Sequence, residues 1–308
     1  MSPPPPRPRA TAPAAPAAGS SEPRQTPPAR TESAMSSTDE YIAPTIHTFS
    51  SSTPIHVSVQ NLRGDISLRT EPGDQIRVEL APRGQAGQEL VERMEVRFEG
   101  GRLTVNAPAE EAQHVGGRLG DLLRGMGGGE GSGGSWTDRF ASSMRSTWRS
   151  VEGLAGTLAV TVVVPEGSRA VLHDGAGDLR VSGELARVEA RTGAGDVRVS
   201  SAPADLSVTT GSGDITIEEL RGDARLTSGV GDVTVSRALE GALRIRSGTG
   251  DVTVRVAEGT ATKVDLATGR GDRDVRLSPT SGAGAAERVL EIHARSGVGD
   301  VRVLRAEG

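Results

Sequence analysis

Apolar residues alternate with polar ones along most of this chain, and a period of two predicts strands rather than helices. Between residues 46 and 108 the apolar sets are Ile55, Val57 and Val59; Ile66 and Leu68; Ile76, Val78 and Leu80; Met94, Val96 and Phe98; Leu103 and Val105. Leu158 to Val164 make another run, closed by Pro165. Beyond it two families of short strands take turns. One carries Val188 and Ala190, Leu206 and Val208, Ala224 and Leu226, Leu243 and Ile245, Val264 and Leu266, Leu290 and Ile292. The other carries Leu179 and Val181, Val197 and Val199, Ile215 and Ile217, Val233 and Val235, Val252 and Val254, Val275 and Leu277, Val301 and Val303. Alternation sends these side chains to one face and Arg, Thr, Ser and Glu to the other.

Gly-x-Gly-Asp precedes each strand of the second family. The seven copies are Gly175-Ala176-Gly177-Asp178, Gly193-Ala194-Gly195-Asp196, Gly211-Ser212-Gly213-Asp214, Gly229-Val230-Gly231-Asp232, Gly248-Thr249-Gly250-Asp251, Gly269-Arg270-Gly271-Asp272 and Gly297-Val298-Gly299-Asp300. Their first four Asp residues lie 18 apart, and the next follow after 19, 21 and 28. A short fixed period with one turn chemistry predicts a stacked repeat. Two strands and two turns per repeat are too few for a four-stranded blade or a helical crossover. The predicted fold is therefore all-β: a parallel β-solenoid with two short strands per coil of about 18 residues. Its coils stack about 4.8 Å apart. One coil cannot bury its inner face alone, so stability comes from its neighbours.

Each box is predicted to be a structural corner. Glycine supplies a positive φ, and aspartate accepts hydrogen bonds from nearby backbone N–H groups. A phosphate loop would need a helix after the glycines, and here a strand follows each one. Stacking puts Asp196, Asp214, Asp232 and Asp251 in a row, where like charges about 4.8 Å apart repel by about 1 kcal/mol in water. Backbone N–H groups, neighbouring Arg or a cation must offset this. These four are the calcium candidates, by analogy with the Gly/Asp turns of nonapeptide β-rolls. One carboxylate per repeat is a poor ligand supply, so the column is read as structural, and no cofactor is expected.

Composition narrows the function classes. The net charge of −5 gives no basic field for nucleic acid. The absence of Cys excludes disulfides and thiol catalysis. The five histidines are scattered without metal-ligand spacing. His173-Asp174 beside a turn suggests part of a triad, but no Ser in a nucleophile elbow accompanies it. Arg-Gly-Asp occurs at Arg63, Arg221 and Arg270; in a chain whose turns demand Gly-Asp it is read as coincidence rather than as an integrin motif. No enzyme is expected. The alternatives are a β-helix enzyme acting on polysaccharide, which would want clustered acids and aromatic platforms, and a calcium-dependent surface protein.

Four regions follow. Residues 1–40 are a Pro/Ala/Arg-rich tail expected to be disordered, with no apolar run of a secretory signal, and Met35 is an alternative start. Residues 41–108 begin the solenoid, with Asn61 to Leu68 as a degenerate repeat. Residues 109–156 hold a Gly-rich linker and an amphipathic helix, its stripe made of Trp136, Phe140, Met144 and Trp148. That helix is read as a cap on the solenoid, and alternatively as a peripheral membrane or partner contact. Residues 157–308 are the regular repeats. Asp272-Arg273-Asp274-Val275 predicts a bulge. The last strand is expected to leave an open edge, guarded by Arg295, Arg302 and Arg305, through which copies self-associate. No run of about 18 apolar residues predicts a transmembrane helix. The expected location is cytoplasmic, with cell-envelope association.

The Gly-x-Gly-Asp-[Val/Ile/Leu]-x-[Val/Ile] series resembles the bacterial β-strand-repeat domain of unknown function that goes by the name "putative adhesin". The resemblance covers residues 46–108 and 157–308, most clearly Gly175 to Val303. It implies a parallel β-solenoid without an established enzyme activity, linked in some members to the cell envelope and stress response. The expected function is a non-catalytic scaffold or adhesin-like protein whose outward ladders bind a protein or cell-envelope polymer.

Overall fold

The computed structural model describes residues 42–108, 157–277 and 288–306, all within the unit Asp39–Gly308. The first stretch holds strands Thr45–Ser50 (β1), His56–Arg63 (β2), Ile66–Glu71 (β3) and Gln75–Arg83 (β4), helix Gly84–Arg93 (α1), and strands Glu95–Glu99 (β5) and Arg102–Asn106 (β6). The second begins with Thr157–Pro165 (β7), Arg169–Ala176 (β8), Leu179–Ser182 (β9), Arg187–Ala194 (β10), Val197–Ala202 (β11), Asp205–Ser212 (β12) and Ile215–Arg221 (β13). It continues through Asp223–Val230 (β14), Val233–Thr249 (β15), Val252–Val256 (β16), Thr260–Arg270 (β17) and Arg273–Arg276 (β18). Arg288–Val298 (β19) and Val301–Arg305 (β20) complete the chain.

The fold is all-β and solenoid-like. Each regular rung is one strand, a Gly-Asp corner and a second strand, and these rungs follow one another in side-chain register apart from two local shifts along β13, β15 and β16. In one sheet Leu172, Ala190, Val208, Leu226, Ile245, Ala294 and Leu266 align as successive parallel partners. In the other, Val181, Val199, Ile217, Val235, Val254, Val303 and Val275 do the same. The long β15 joins the sheets, giving Val233–Ala238 to one and Gly241–Thr249 to the other. Both rows face inward and form one aliphatic core, and most of their side chains are fully buried. Slipping any strand by one residue would turn its apolar set outward, so burial holds the register.

The rungs do not stack in chain order at either end. Strands β6 and β7 lie outside β2 and β3, parallel to them, although they come later in the sequence. Antiparallel strands finish that end, β5 on β6, β4 on β7 and β1 on β4. The set Ile76, Val78 and Leu80, expected to continue the coils, is thus a reversed strand. Helix α1 packs against β4 and β7. Phe49 and Phe98 pack on the core with ring centroids 5.6 Å apart.

At the other end β19 lies between β15 and β17, and β20 lies between β16 and β18. The last rung in sequence is therefore the penultimate rung in space. This corrects the expectation that β20 is the open edge; the outermost strands among the described residues are β17 and β18. The 28-residue step from Asp272 to Asp300 supplies the extra chain needed to step back past a rung. The loop 278–287 itself lies outside the described residues, as do residues 1–41 and the expected helix with Trp136, Phe140, Met144 and Trp148.

The bulge expected at Asp272–Val275 is absent. Arg273, Asp274 and Val275 pair without a break with Val301, Arg302 and Val303. Arg273 instead occupies the inward position that Leu179, Val197, Ile215, Val233, Val252 and Val301 hold on other rungs. A charge is tolerated there because no described strand stacks beyond it, and Arg273 is exposed. The register shifts that do occur lie between Leu220 and Arg221 and between Val235 and Ala238.

Candidate functional site

The corners align in one column, ordered Asp65, Asp178, Asp196, Asp214, Asp232, Asp251, Asp300 and Asp272. Each carboxylate accepts the backbone N–H of the next aspartate. The distances run from 3.2 Å at Asp65 through 3.0 Å at Asp178 and Asp196 to 2.8 Å at Asp214, Asp232 and Asp251, and 2.9 Å at Asp300. The degenerate repeat at Asn61–Leu68 thus contributes the foot of the column.

Arginines add to the offset at both ends of the column. Arg180 bridges Asp178 and Asp65, and Arg198 bridges Asp196 and Asp178. Arg302 binds Asp251 and Asp300. The Asp300 N–H, followed by Arg302, holds the Asp251 carboxyl below the usual carboxylate range. The four calcium candidates therefore each have one oxygen committed to an amide. Among the described residues no three His, Asp or Glu side chains converge as a metal's ligand set.

Replacing Asp232 with Ala removes the acceptor for the Asp251 N–H at an exposed position. The expected cost is about 1 kcal/mol in urea denaturation. Asp232→Asn keeps an acceptor oxygen and should recover most of it; equal losses in both variants would show that the amide bond contributes nothing.

A second ladder, not anticipated from the sequence, runs inside the first. The residue before each box is small and polar. Thr192, Thr210, Ser228 and Ser247 donate their hydroxyls to the carbonyls of Gly177, Gly195, Gly213 and Gly231, at 3.3, 3.2, 3.3 and 3.4 Å. Ser296 and Thr268 donate to Gly250 and Gly299 at 3.0 and 2.9 Å. At the foot, Asn61 donates to Gly64 and Leu158, both at 2.9 Å. The signal was present in the sequence as a Ser, Thr or Asp directly before every Gly-x-Gly-Asp.

Asp174 is the exception in this inner ladder. It is 1% exposed, and neither carboxylate oxygen has a hydrogen-bond partner of normal geometry. Burial pushes its carboxyl well above the usual range; the adjacent Gly175 amide works the other way. His173 next to it belongs to the outward row of β8, with Arg191 as its strand neighbour. Burial and then Arg191 lower its pKa. Strand alternation thus sends His173 and Asp174 to opposite faces, so the suggested dyad does not assemble.

Outside the core, exposed arginines follow a local rule. Arg69 pairs with Glu71, Arg77 with Glu79, Arg97 with Glu95, Arg191 with Glu189, Arg221 with Glu219 and Arg276 with Asp274, each two residues away on its own strand. Residues i and i+2 share a face of a strand, so the sequence spacing alone brings these charges together. Of the Arg-Gly-Asp triplets, Asp65 and Asp272 belong to the corner column, while Asp223 accepts the Ala242 N–H at 2.9 Å on another turn. No helix among the described residues is long and apolar enough to cross a membrane.

No curated protein matches this sequence. Three solved structures illustrate the similarities found. One is a "putative cell adhesion protein" from Clostridium sporogenes, 10% identical over 85% of this chain and 99% of that one, with a TM-score of 0.36. Another is a "putative adhesin" from Parabacteroides merdae, 11% identical over 85% and 97%, with a TM-score of 0.37. A "putative lipid binding protein" from Parabacteroides distasonis is 10% identical over 86% and 95%, with a TM-score of 0.35. Similarity this low decides neither the fold nor the role. The corner boxes and their strands are a different matter, for the stretch that carries all seven of them, residues 165–308, matches the Toastrack DUF4097 family.

Proposed function

We propose that this chain is a non-catalytic scaffold, a parallel β-solenoid with an adhesin-like role whose flat outer faces bind a protein or cell-envelope polymer. The observation that carries this reading is the cross-rung register that both inward rows keep from Leu172 and Val181 to Leu266 and Val275. It repeats outward side chains at about 4.8 Å from rung to rung, a spacing suited to a partner that is itself extended and repetitive. Because the core beneath is close-packed, the face is rigid before binding and loses little entropy on contact. The expected place of action is the cytoplasm, in association with the cell envelope. Pairing between copies, where it occurs, belongs to β17 and β18, parallel strands whose outer edges have no partner among the described residues.

Co-sedimentation of the full chain with isolated bacterial envelope fractions tests this reading. Saturable retention is expected, unchanged by a chelator and without release of sugar fragments. Retention abolished by the chelator would favour a calcium-dependent surface protein, and release of reducing ends would favour a polysaccharide-cleaving enzyme. Absence of saturable retention would end the scaffold reading.

A further inference from the structure

On one patch of the sheet containing β14, β15 and β19, the pairing rule for arginines breaks down. Arg225 and Arg244 are direct cross-strand neighbours, and so are Arg246 and Arg295. Arg244 and Arg246 lie two apart on β15, where the rule elsewhere puts an acid beside an arginine. All four are exposed. None has an ion-pair or hydrogen-bond partner among the described residues, and the nearby acids make their contacts with other groups. Asp223, two residues before Arg225, accepts the Ala242 N–H; Glu291 binds Lys263 and His293; Asp265 binds His293. Like charges on directly opposed residues destabilise a sheet, so this patch is unfavourable as it stands. An incoming anion would relieve it.

We propose that Arg225, Arg244, Arg246 and Arg295 form a binding site for a linear, phosphate-bearing polymer, a conclusion that rests on the scaffold reading above. Neighbouring guanidinium stems stand about 4.8 Å apart across strands and about 6.6 Å apart along one. A chain with closely repeated phosphates engages several of them at once, and each planar fork can take two oxygens of one phosphate. Single-stranded nucleic acid is the less suitable polyanion. Its binding sites combine positive charge with aromatic stacking platforms, and residues 157–308 contain no Phe, Tyr or Trp.

The test is titration of the full chain into labelled long-chain inorganic polyphosphate, followed by fluorescence anisotropy between about 50 and 200 mM salt. Binding should weaken steeply with salt. The variant R225S/R244S/R246S/R295S should lose at least about tenfold in affinity. R180S/R187S/R191S/R198S removes equal charge from ion-paired positions and should lose less than about twofold. Equal losses in the two variants, no binding by the wild type, or equally tight binding of single-stranded DNA or phosphatidylglycerol vesicles would each overturn the proposal.

Melting temperature is the second readout. Removing the repulsion should leave the unliganded quadruple variant as stable as the wild type or more so. Marked destabilisation would mean that the arginines stack as a structural unit, which also overturns the site. With the other three arginines kept, Arg246→Ser alone should weaken binding about two- to threefold, and an unchanged affinity would count against the site. Saturable envelope retention without polyphosphate binding would reject this site and leave the scaffold reading in place.

Discussion

Gly231→Ala should destabilise the protein by about 2–6 kcal/mol, a large effect for one methyl group. Two costs add. Gly231 has φ +138°, where an L side chain is strained by about 1–3 kcal/mol. A Cβ at this position would also overlap the carbonyl oxygen of Gly213 on the rung below. That carbonyl is fixed from the other side by the Ser228 hydroxyl, so it cannot yield without breaking the inner ladder. Overpacking of this kind costs about another 1–3 kcal/mol.

Gly73 separates the two terms. Its φ is +123°, but a Cβ there meets nothing within 4 Å. Gly73→Ala should therefore show only the backbone strain. Guanidinium denaturation of both variants measures the difference. Equal losses would mean that close stacking of the corners contributes nothing to the requirement for glycine.

The opposite sign is expected at Asp174. Every other described rung from β10 onward has a Ser or Thr at this position, donating to a corner carbonyl, whereas Asp174 has two buried oxygens without partners. Asp174→Thr should raise stability by about 1–3 kcal/mol at neutral pH, the usual cost of an unsatisfied buried polar group.

The pH dependence identifies the cause. Burial raises the folded-state pKa of Asp174 above its unfolded value of about 3.9. The folded protein therefore holds this proton more tightly than the unfolded chain does. No ionisation penalty exists below pH of about 3.9. The wild type then loses stability as pH rises from there through the raised folded value. The threonine variant lacks this loss, so its advantage should grow with pH over that window and level off above it. Denaturation curves at several pH values test this; an advantage that shrinks as pH rises would refute a buried, destabilised carboxyl.

Both substitutions act on features that differ in how far they can be read from the chain. The corner glycines and the inward rows such as Val197 and Val199 follow from local pattern, since a strand's side chains alternate whatever lies beside it. The aspartate column also follows once the repeats are stacked, and its stabilisers, backbone N–H groups and Arg, were two of the three possibilities. The importance of Asp174 was harder to see. As one more small polar residue before a box it looks ordinary, and only stacking shows that it is buried between Asn61 and Thr192 without a hydroxyl to donate. Helix α1 escaped notice because Gly84 and Gly87 interrupt its helical pattern.

Alone, then, the order of residues determined the strand period, the inward rows and the chemistry of the corners. All of these are settled within a few residues by sterics and by which face a side chain occupies. Tertiary structure decided which rung lies next to which, the reversal of β4, the outermost position of β17 and β18, and the meeting of Arg225 with Arg244 and of Arg246 with Arg295. Nearly identical rungs present nearly identical edges to one another, so their local chemistry does not encode their stacking order. The order is chosen by the lengths of the connections and by which rung can leave a charge such as Arg273 at an end that no described strand covers.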